Sequence, residues 1–225
     1  MQTKLSETTA VGGFGAPTGK KLLKVSSGKY EGRMISVFKT SYNEIKYCFS
    51  NSPYDNWSPI TSIVTDSAND VIDVVMNDTG DVYVVYCEIS TNYLVSVKLT
   101  ITDSDWTVGT KIYIYNAGVT NTPSVTIDTS GVLYVCFSMY NSSAFDLYVK
   151  TSTDDALTWG SSPADTGETI AVGLAMTIPK IMTSDNELFV VYVTDWNAVK
   201  ERSRLLNGIS WTTEYVIASG VNIDE

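Results

Sequence analysis

The feature that most constrains this 225-residue chain is an internal repeat. Four of its five tryptophans, Trp57, Trp106, Trp159 and Trp211, recur about every fifty residues, a period that belongs to propellers, solenoids and arrays. A second marker keeps the same beat: Gly32 opens GRMISVF, Gly80 opens GDVYVVY, Gly131 opens GVLYVCF and Asn186 opens NELFVVY. The two markers differ in residue type yet stay in register. The chain therefore reads as four copies of one unit, over about 22–64, 71–114, 123–170 and 178–218.

Each unit divides into four strands. The first are LLKVSS from Leu22, VIDVVM from Val71, PSVTID from Pro123 and IPKIMT from Ile178. Turns such as NDTGD at Asn77 and DTSG at Asp128 follow, made of residues that accept positive φ in a hairpin. The glycine- or asparagine-led second strands are apolar at nearly every position, which predicts burial of both faces rather than one. Third strands are expected at EIKYCFS, YLVSVKLT, DLYVKTS and AVKERSRL, and a more polar fourth strand after each tryptophan. Two apolar strands followed by two wetter ones describe a propeller blade, whose inner strands lie between neighbouring blades. No stretch keeps an apolar spacing of three and four, so almost no helix is expected. The predicted fold is all-β: a β-propeller of four-stranded antiparallel blades, with about four repeats. A β-sandwich is the rival, and the shared register of the two markers argues against it.

Residues 1–20 are polar and Gly-containing, and read as an N-terminal arm or a closing strand ahead of the repeats in 21–225. Four-bladed rings are a minority among propellers. Closure through the N-terminal segment, through an oligomer, or through further blades in a longer chain is left open by the sequence. No apolar run approaches the roughly 20 residues that span a bilayer. The opening MQTKLSETTAVGGFG has no apolar core of signal-peptide type.

Composition narrows the chemistry. There is no histidine, which removes Ser-His-Asp and Cys-His catalysis, most catalytic zinc sites and a histidine pH switch. A formal net charge of −10, from 15 basic and 25 acidic residues, repels nucleic-acid phosphates and anionic lipid, so neither is an expected partner. Cys48, Cys87 and Cys136 have no metal-site spacing and read as small buried hydrophobes. The acidic clusters around Asp78 and Asp103 offer the oxygen donors calcium takes, but neither follows a complete EF-hand-like loop. No cofactor is expected, and calcium is the one metal the donor set would suit.

The third repeat carries Ser152-Thr153-Asp154-Asp155-Ala156-Leu157-Thr158-Trp159. This resembles the Asp-box, or bacterial neuraminidase repeat, S-x-D-x-G-x-T-W: Ser152, Asp154, Thr158 and Trp159 match, and Ala156 stands where glycine is usual. The fourth repeat keeps Gly208, Ser210 and Trp211 without the aspartate, the first keeps Ser50 and Trp57, and the second little beyond Trp106. The resemblance implies a sialidase-like propeller in which the box occupies the hairpin between third and fourth strands, its aspartate bonding turn backbone and its tryptophan packing between strands. It thus implies a structural role for Ser152, Asp154, Thr158 and Trp159.

Sialidases of that family clamp the substrate carboxylate with three arginines from separate blades and use a tyrosine–glutamate nucleophile pair with an acidic proton donor. Here the arginines are Arg33, Arg202 and Arg204, two of them on one strand, and the family's F-R-I-P segment is absent. Asp78-Asp81, Asp103-Asp105 and Asp154-Asp155 are carboxylate pairs of the kind that also cap turns. The expected function is therefore a non-catalytic recognition or structural propeller, extracellular or virion-associated, on a phage tail or cell surface, contacting glycans or a protein surface. The alternative is a sialidase-like glycoside hydrolase or a fragment of one. The ligand-binding candidates are loop aromatics: Tyr42, Tyr54, Tyr93, Tyr140 and Trp196.

Overall fold

A computed structural model of the chain describes residues 22–40, 43–65, 67–175, 177–194 and 198–220, with the backbone alone at 67–70 and 119. Among the described residues sixteen strands make four antiparallel sheets, each using four consecutive strands in chain order. Blade I comprises β1 (Leu22–Lys24), β2 (Met34–Lys39), β3 (Ile45–Ser50) and β4 (Thr61–Val64). Blade II comprises β5 (Ser67–Met76), β6 (Val82–Glu88), β7 (Leu94–Ile101) and β8 (Trp106–Tyr115). Blade III comprises β9 (Val119–Ile127), β10 (Leu133–Tyr140), β11 (Phe145–Ser152) and β12 (Glu168–Leu174). Blade IV comprises β13 (Pro179–Ser184), β14 (Glu187–Thr194), β15 (Ala198–Leu205) and β16 (Tyr215–Ser219). The fold is a four-bladed β-propeller, and no helix occurs among the described residues.

The first hairpin turn of blade II shows why the sequence turns where it does. The Asn77 side-chain oxygen accepts from the amides of Gly80 and Asp81, both at 2.9 Å, closing the loop without help from the sheet. Gly80 has φ +106, a conformation that favours glycine, and a Cβ there would also crowd Ile101 Cδ1 at 2.9 Å. In blade III, Asp128 does the same work, accepting from Ser130 and Val132.

Side chains from facing blades fill the seams. One apolar cluster joins Ile35, Val37 and Tyr47 of blade I to Val74, Val84 and Tyr86 of blade II. A second joins Val85, Leu94 and Ile114 of blade II to Val135 and Phe137 of blade III. A third joins Tyr134, Leu147 and Ile170 of blade III to Leu188, Val190 and Tyr192 of blade IV. Among the described residues no such cluster joins blade IV to blade I. The four tryptophans share one station, in or just after the connection from third to fourth strand. Three of them enter the seam with the preceding blade. The Trp106 ring meets Phe49 edge-on at 5.5 Å, Trp159 Nε1 donates to Ser96 Oγ at 3.1 Å, and Trp211 Nε1 donates to Glu168 Oε2 at 2.8 Å.

One expectation needs correction. All of β6 is buried, as are β2 from Ile35 onward and β10 up to Ser138, but β14 is only half dry. Leu188, Val190 and Tyr192 are fully buried against blade III, whereas Phe189 and Val191 on the opposite face are partly exposed. The physical reason is that, among the described residues, no apolar layer covers that face. The three cysteines are free and buried, as small hydrophobes would be.

Burial also sets an alkaline limit on stability. Desolvation first, then neighbouring carboxylates, lifts the Tyr47 and Tyr134 phenols to about 12, and desolvation lifts the Cys48 and Cys87 thiols to about 11. A group whose pKa is raised by folding holds its proton more tightly in the native state. Its contribution is complete below the unfolded value and is lost as pH climbs through the folded one. Urea midpoints should therefore hold steady up to about pH 9 and fall between about pH 9 and 12. A midpoint that is flat or rising across that window would contradict the burial of these groups.

Candidate binding groove between blades III and IV

The Asp-box residues form a closed turn after β11. Asp154 Oδ1 accepts from the Thr158 amide at 2.9 Å and Oδ2 from the Thr158 hydroxyl at 2.6 Å. The Ser152 hydroxyl donates to Asp154 Oδ1 and accepts from the Ala156 amide. The hydrogen bond from the Thr158 hydroxyl, with that from its amide, holds the Asp154 carboxyl below the usual carboxylate range. Asp155 and Ala156 both take left-handed backbone, φ 65 and 64, which is why the family pattern favours glycine at the second of them. The loop delivers Trp159, buried, to the seam with blade II.

The loop aromatics do not converge. Tyr93, on the β6–β7 hairpin, packs edge-on against Tyr113 at 5.9 Å, and Tyr140, at the end of β10, lies 5.1 Å from Phe145. Both sit at the end of their sheets that carries the hairpins from second to third strand. Tyr54 lies in the β3–β4 connection, at the other end, and its hydroxyl donates to Gly32 O at 2.6 Å. Tyr42 and Trp196 lie outside the described residues. The carboxylates of the two acidic clusters already have donors from the chain: Ser26 reaches Asp78, Lys29 and Tyr30 reach Asp103, and Tyr47 reaches Asp105. Among the described residues no group of three or more potential metal-ligating side chains occurs.

Near the axis the inner strands of three blades meet on one buried carboxylate. Asp73 Oδ2, on β5, accepts from Ser124 Oγ and the Val125 amide of β9, each at 3.0 Å, and from Lys180 Nζ of β13 at 2.9 Å. Ser124 Oγ in turn accepts from the Ile181 amide. Paired and hydrogen-bonded, the carboxylate pins blades II, III and IV together. The signal for it in the sequence is a charged residue inside an apolar inner strand, at Asp73 in VIDVVM and Lys180 in IPKIMT.

The three arginines have different fates. Arg33 donates to Asn51 and to the carbonyls of Thr102 and Asp103, and stacks on Trp106. Arg204 donates to the carbonyls of Leu205, Leu206 and Gly208 and to Glu168, and stacks on Trp211. Both are seam struts. Arg202, two residues before Arg204 on β15, instead lines an open groove against β12.

The groove encloses about 370 Å³ and is walled by Thr169, Ile170, Ala171, Val172 and Leu174 of β12, with Lys200, Arg202 and Glu214 from blade IV. Alternation along β15 places Lys200 and Arg202 on one face of the sheet. Lys200 Nζ lies 2.7 Å from Glu214 Oε1, and the buried Tyr192 hydroxyl donates to Glu214 Oε2 at 2.5 Å. Burial opposes ionisation of Glu214, but the Lys200 and Tyr192 hydrogen bonds outweigh it and hold the carboxyl below its usual range. Burial, followed by the bond to Glu214, raises the Tyr192 phenol well above its ordinary value. Val172 is 65% exposed and presents an apolar wall. Charged donors and an acceptor thus border an exposed apolar strip, an arrangement suited to a ligand with hydroxyls on its edge and C–H bonds on its face.

Comparison with known proteins places the architecture in context. A structure of a protein of unknown function from Dyadobacter fermentans is similar, with a TM-score of 0.60 at 10% identity, over 87% of this chain and 67% of that one. An endo-arabinase from Bacteroides thetaiotaomicron gives 0.57 at 14% identity, over 95% and 85%. The Aleuria aurantia lectin AAL, in complex with a fucosylated N-acetylglucosamine, gives 0.56 at 13% identity, over 93% and 68%. At these identities the likeness is one of fold. No family model and no curated protein matches the chain, so its Asp-box resemblance rests on the residues of the third repeat themselves.

Proposed function

We propose that the chain is a non-catalytic recognition propeller that contacts glycans, in an extracellular or virion setting, through the groove between blades III and IV. The observation that carries this reading is the lining of that groove, where Lys200, Arg202 and Glu214 stand beside the exposed apolar edge of β12. Saccharides offer matching surfaces: hydroxyls that bond charged groups, and a C–H face that lies on apolar side chains. The lectin among the fold neighbours supports the same reading, as a propeller that binds sugar.

A second reading, a glycoside hydrolase, draws on the Tyr192–Glu214 pair beside Arg202, a tyrosine–carboxylate pair of the kind sialidases use. Two features weigh against it. The raised pKa keeps the Tyr192 phenol protonated, and Arg33 and Arg204 hold backbone carbonyls at seams instead of converging on one carboxylate. A glycan array run beside a fluorogenic sialoside assay separates the readings. The expected result is retention of a subset of glycans with no sialoside turnover. Turnover lost on Glu214→Gln would reverse the order of the two readings, and an array with no retained glycan would remove the first.

A further inference from the structure

Arg202 is the arginine that borders an open groove. Its Nε is buried without a hydrogen-bond partner, as is that of Arg204, but of the two only Arg202 lines the groove. A guanidinium N–H withdrawn from water without an acceptor is costly, and the planar fork it belongs to matches a carboxylate or a sulfate ester. Lys200 extends the cationic surface on the same face of β15, and Glu214, the single carboxylate of the lining, is already engaged by Lys200 and Tyr192. The groove therefore keeps an excess of positive charge on a chain whose formal net charge is −10. The contrast with Arg33 and Arg204 is internal: both of those meet backbone carbonyls and a tryptophan face, and neither lines this groove.

We propose that the groove selects glycans carrying an anionic substituent, a carboxylate or a sulfate ester, seated on Arg202 and Lys200. The sugar ring lies along Val172 and Ala171, and Glu214 accepts from a ring hydroxyl. This rests on the glycan reading above and names the class of glycan. The site is off the propeller axis, at the periphery of a seam, and the inner-strand network around Asp73 plays no part in it. Selection follows from charge: an anion pairs with the Arg202 guanidinium and Lys200 Nζ together, whereas a neutral sugar meets them only through hydroxyls.

The test uses methyl β-glucuronide, methyl β-glucoside and methyl β-glucoside 6-sulfate as probes, read in ¹⁵N spectra of the full chain by the Arg202 Nε–H resonance and by the backbone amides of β12, which also report binding in variants that lack the arginine. The glucuronide or the sulfate should shift that resonance, and the response of each shows which anion the groove takes. The neutral glucoside should bind at least about tenfold more weakly. Arg202→Ala should abolish the difference between anionic and neutral probes while leaving the melting temperature within a few degrees of wild type, because the side chain is partly exposed. Arg202→Lys should restore part of the difference, since it keeps charge without the fork. Equal shifts by glucoside and glucuronide, or silence with both anions, would overturn the proposal. Neutral glycans retained on an array with a silent Arg202 resonance would defeat the anionic class and leave glycan contact standing. A glucuronide shift with no glycan retained would do the reverse, leaving an anion site without a glycan function.

Discussion

Val84→Asp should leave the chain without a cooperative melting transition. Val84 sits in the middle of β6, fully buried in the seam between blades I and II, with Val74 and Val97 as its cross-strand neighbours. The substitution removes an apolar side chain worth roughly 1.5–3 kcal/mol on burial and strands a carboxylate with no cation in the cluster. Its total cost exceeds the roughly 5–15 kcal/mol that most domains possess, or consumes most of it. Val135→Asp, at the equivalent depth of the seam between blades II and III, should do the same. Circular dichroism and differential scanning calorimetry check both; an unchanged melting temperature for either would refute the two-sided burial of the second strands.

Trp159→Ala should be the most damaging of the four tryptophan truncations. The side chain is buried in the seam between blades II and III and its indole donates to Ser96, so truncation opens a large cavity and orphans a buried hydroxyl. Aromatic-to-alanine changes at such sites cost about 3–5 kcal/mol, which lowers the melting temperature of a domain this size by about 6–20 °C. Trp57→Ala should cost far less: Trp57 is partly exposed and, in blade I, has no filled seam with a preceding blade among the described residues. Equal losses at the two positions would show that the tryptophans act within their own blades and not between them.

Most of the architecture was legible because a propeller writes its period into the chain. The Trp57–Trp106–Trp159–Trp211 beat and the Gly32–Gly80–Gly131–Asn186 beat mark the same stations in four sheets, and the expected third strands match β3, β7, β11 and β15. The apolar run LFVVYV was misread because a strand's sequence records its need for two dry faces but not whether a neighbour supplies the second. The contacts around Asp73 were hidden for a different reason. They join residues from three repeats at the axis, 51 and 107 positions apart, and no local pattern reports which inner strands meet.

The groove was half visible. Spacing placed Arg202 and Arg204 on one face of β15, and that is how they lie. Their surroundings differ: Arg204 falls against Trp211 and the carbonyls of Leu205, Leu206 and Gly208, while Arg202 falls in the open groove facing β12. The separation of Tyr54 from Tyr93 and Tyr140 has the same kind of origin. Alternate hairpins of an antiparallel blade point to opposite ends of the sheet, so aromatic loops at similar positions in the sequence need not share a surface.

The central claim is recognition without chemistry, and one measurement meets it directly. The glycan most strongly retained by the purified chain is incubated with a stoichiometric amount of protein and recovered for mass spectrometry. The expected result is a single species with the mass of the starting glycan, still displaceable from wild-type protein and no longer retained by Arg202→Ala. A shortened or unsaturated product that disappears with Glu214→Gln would contradict the claim and make the groove an active site.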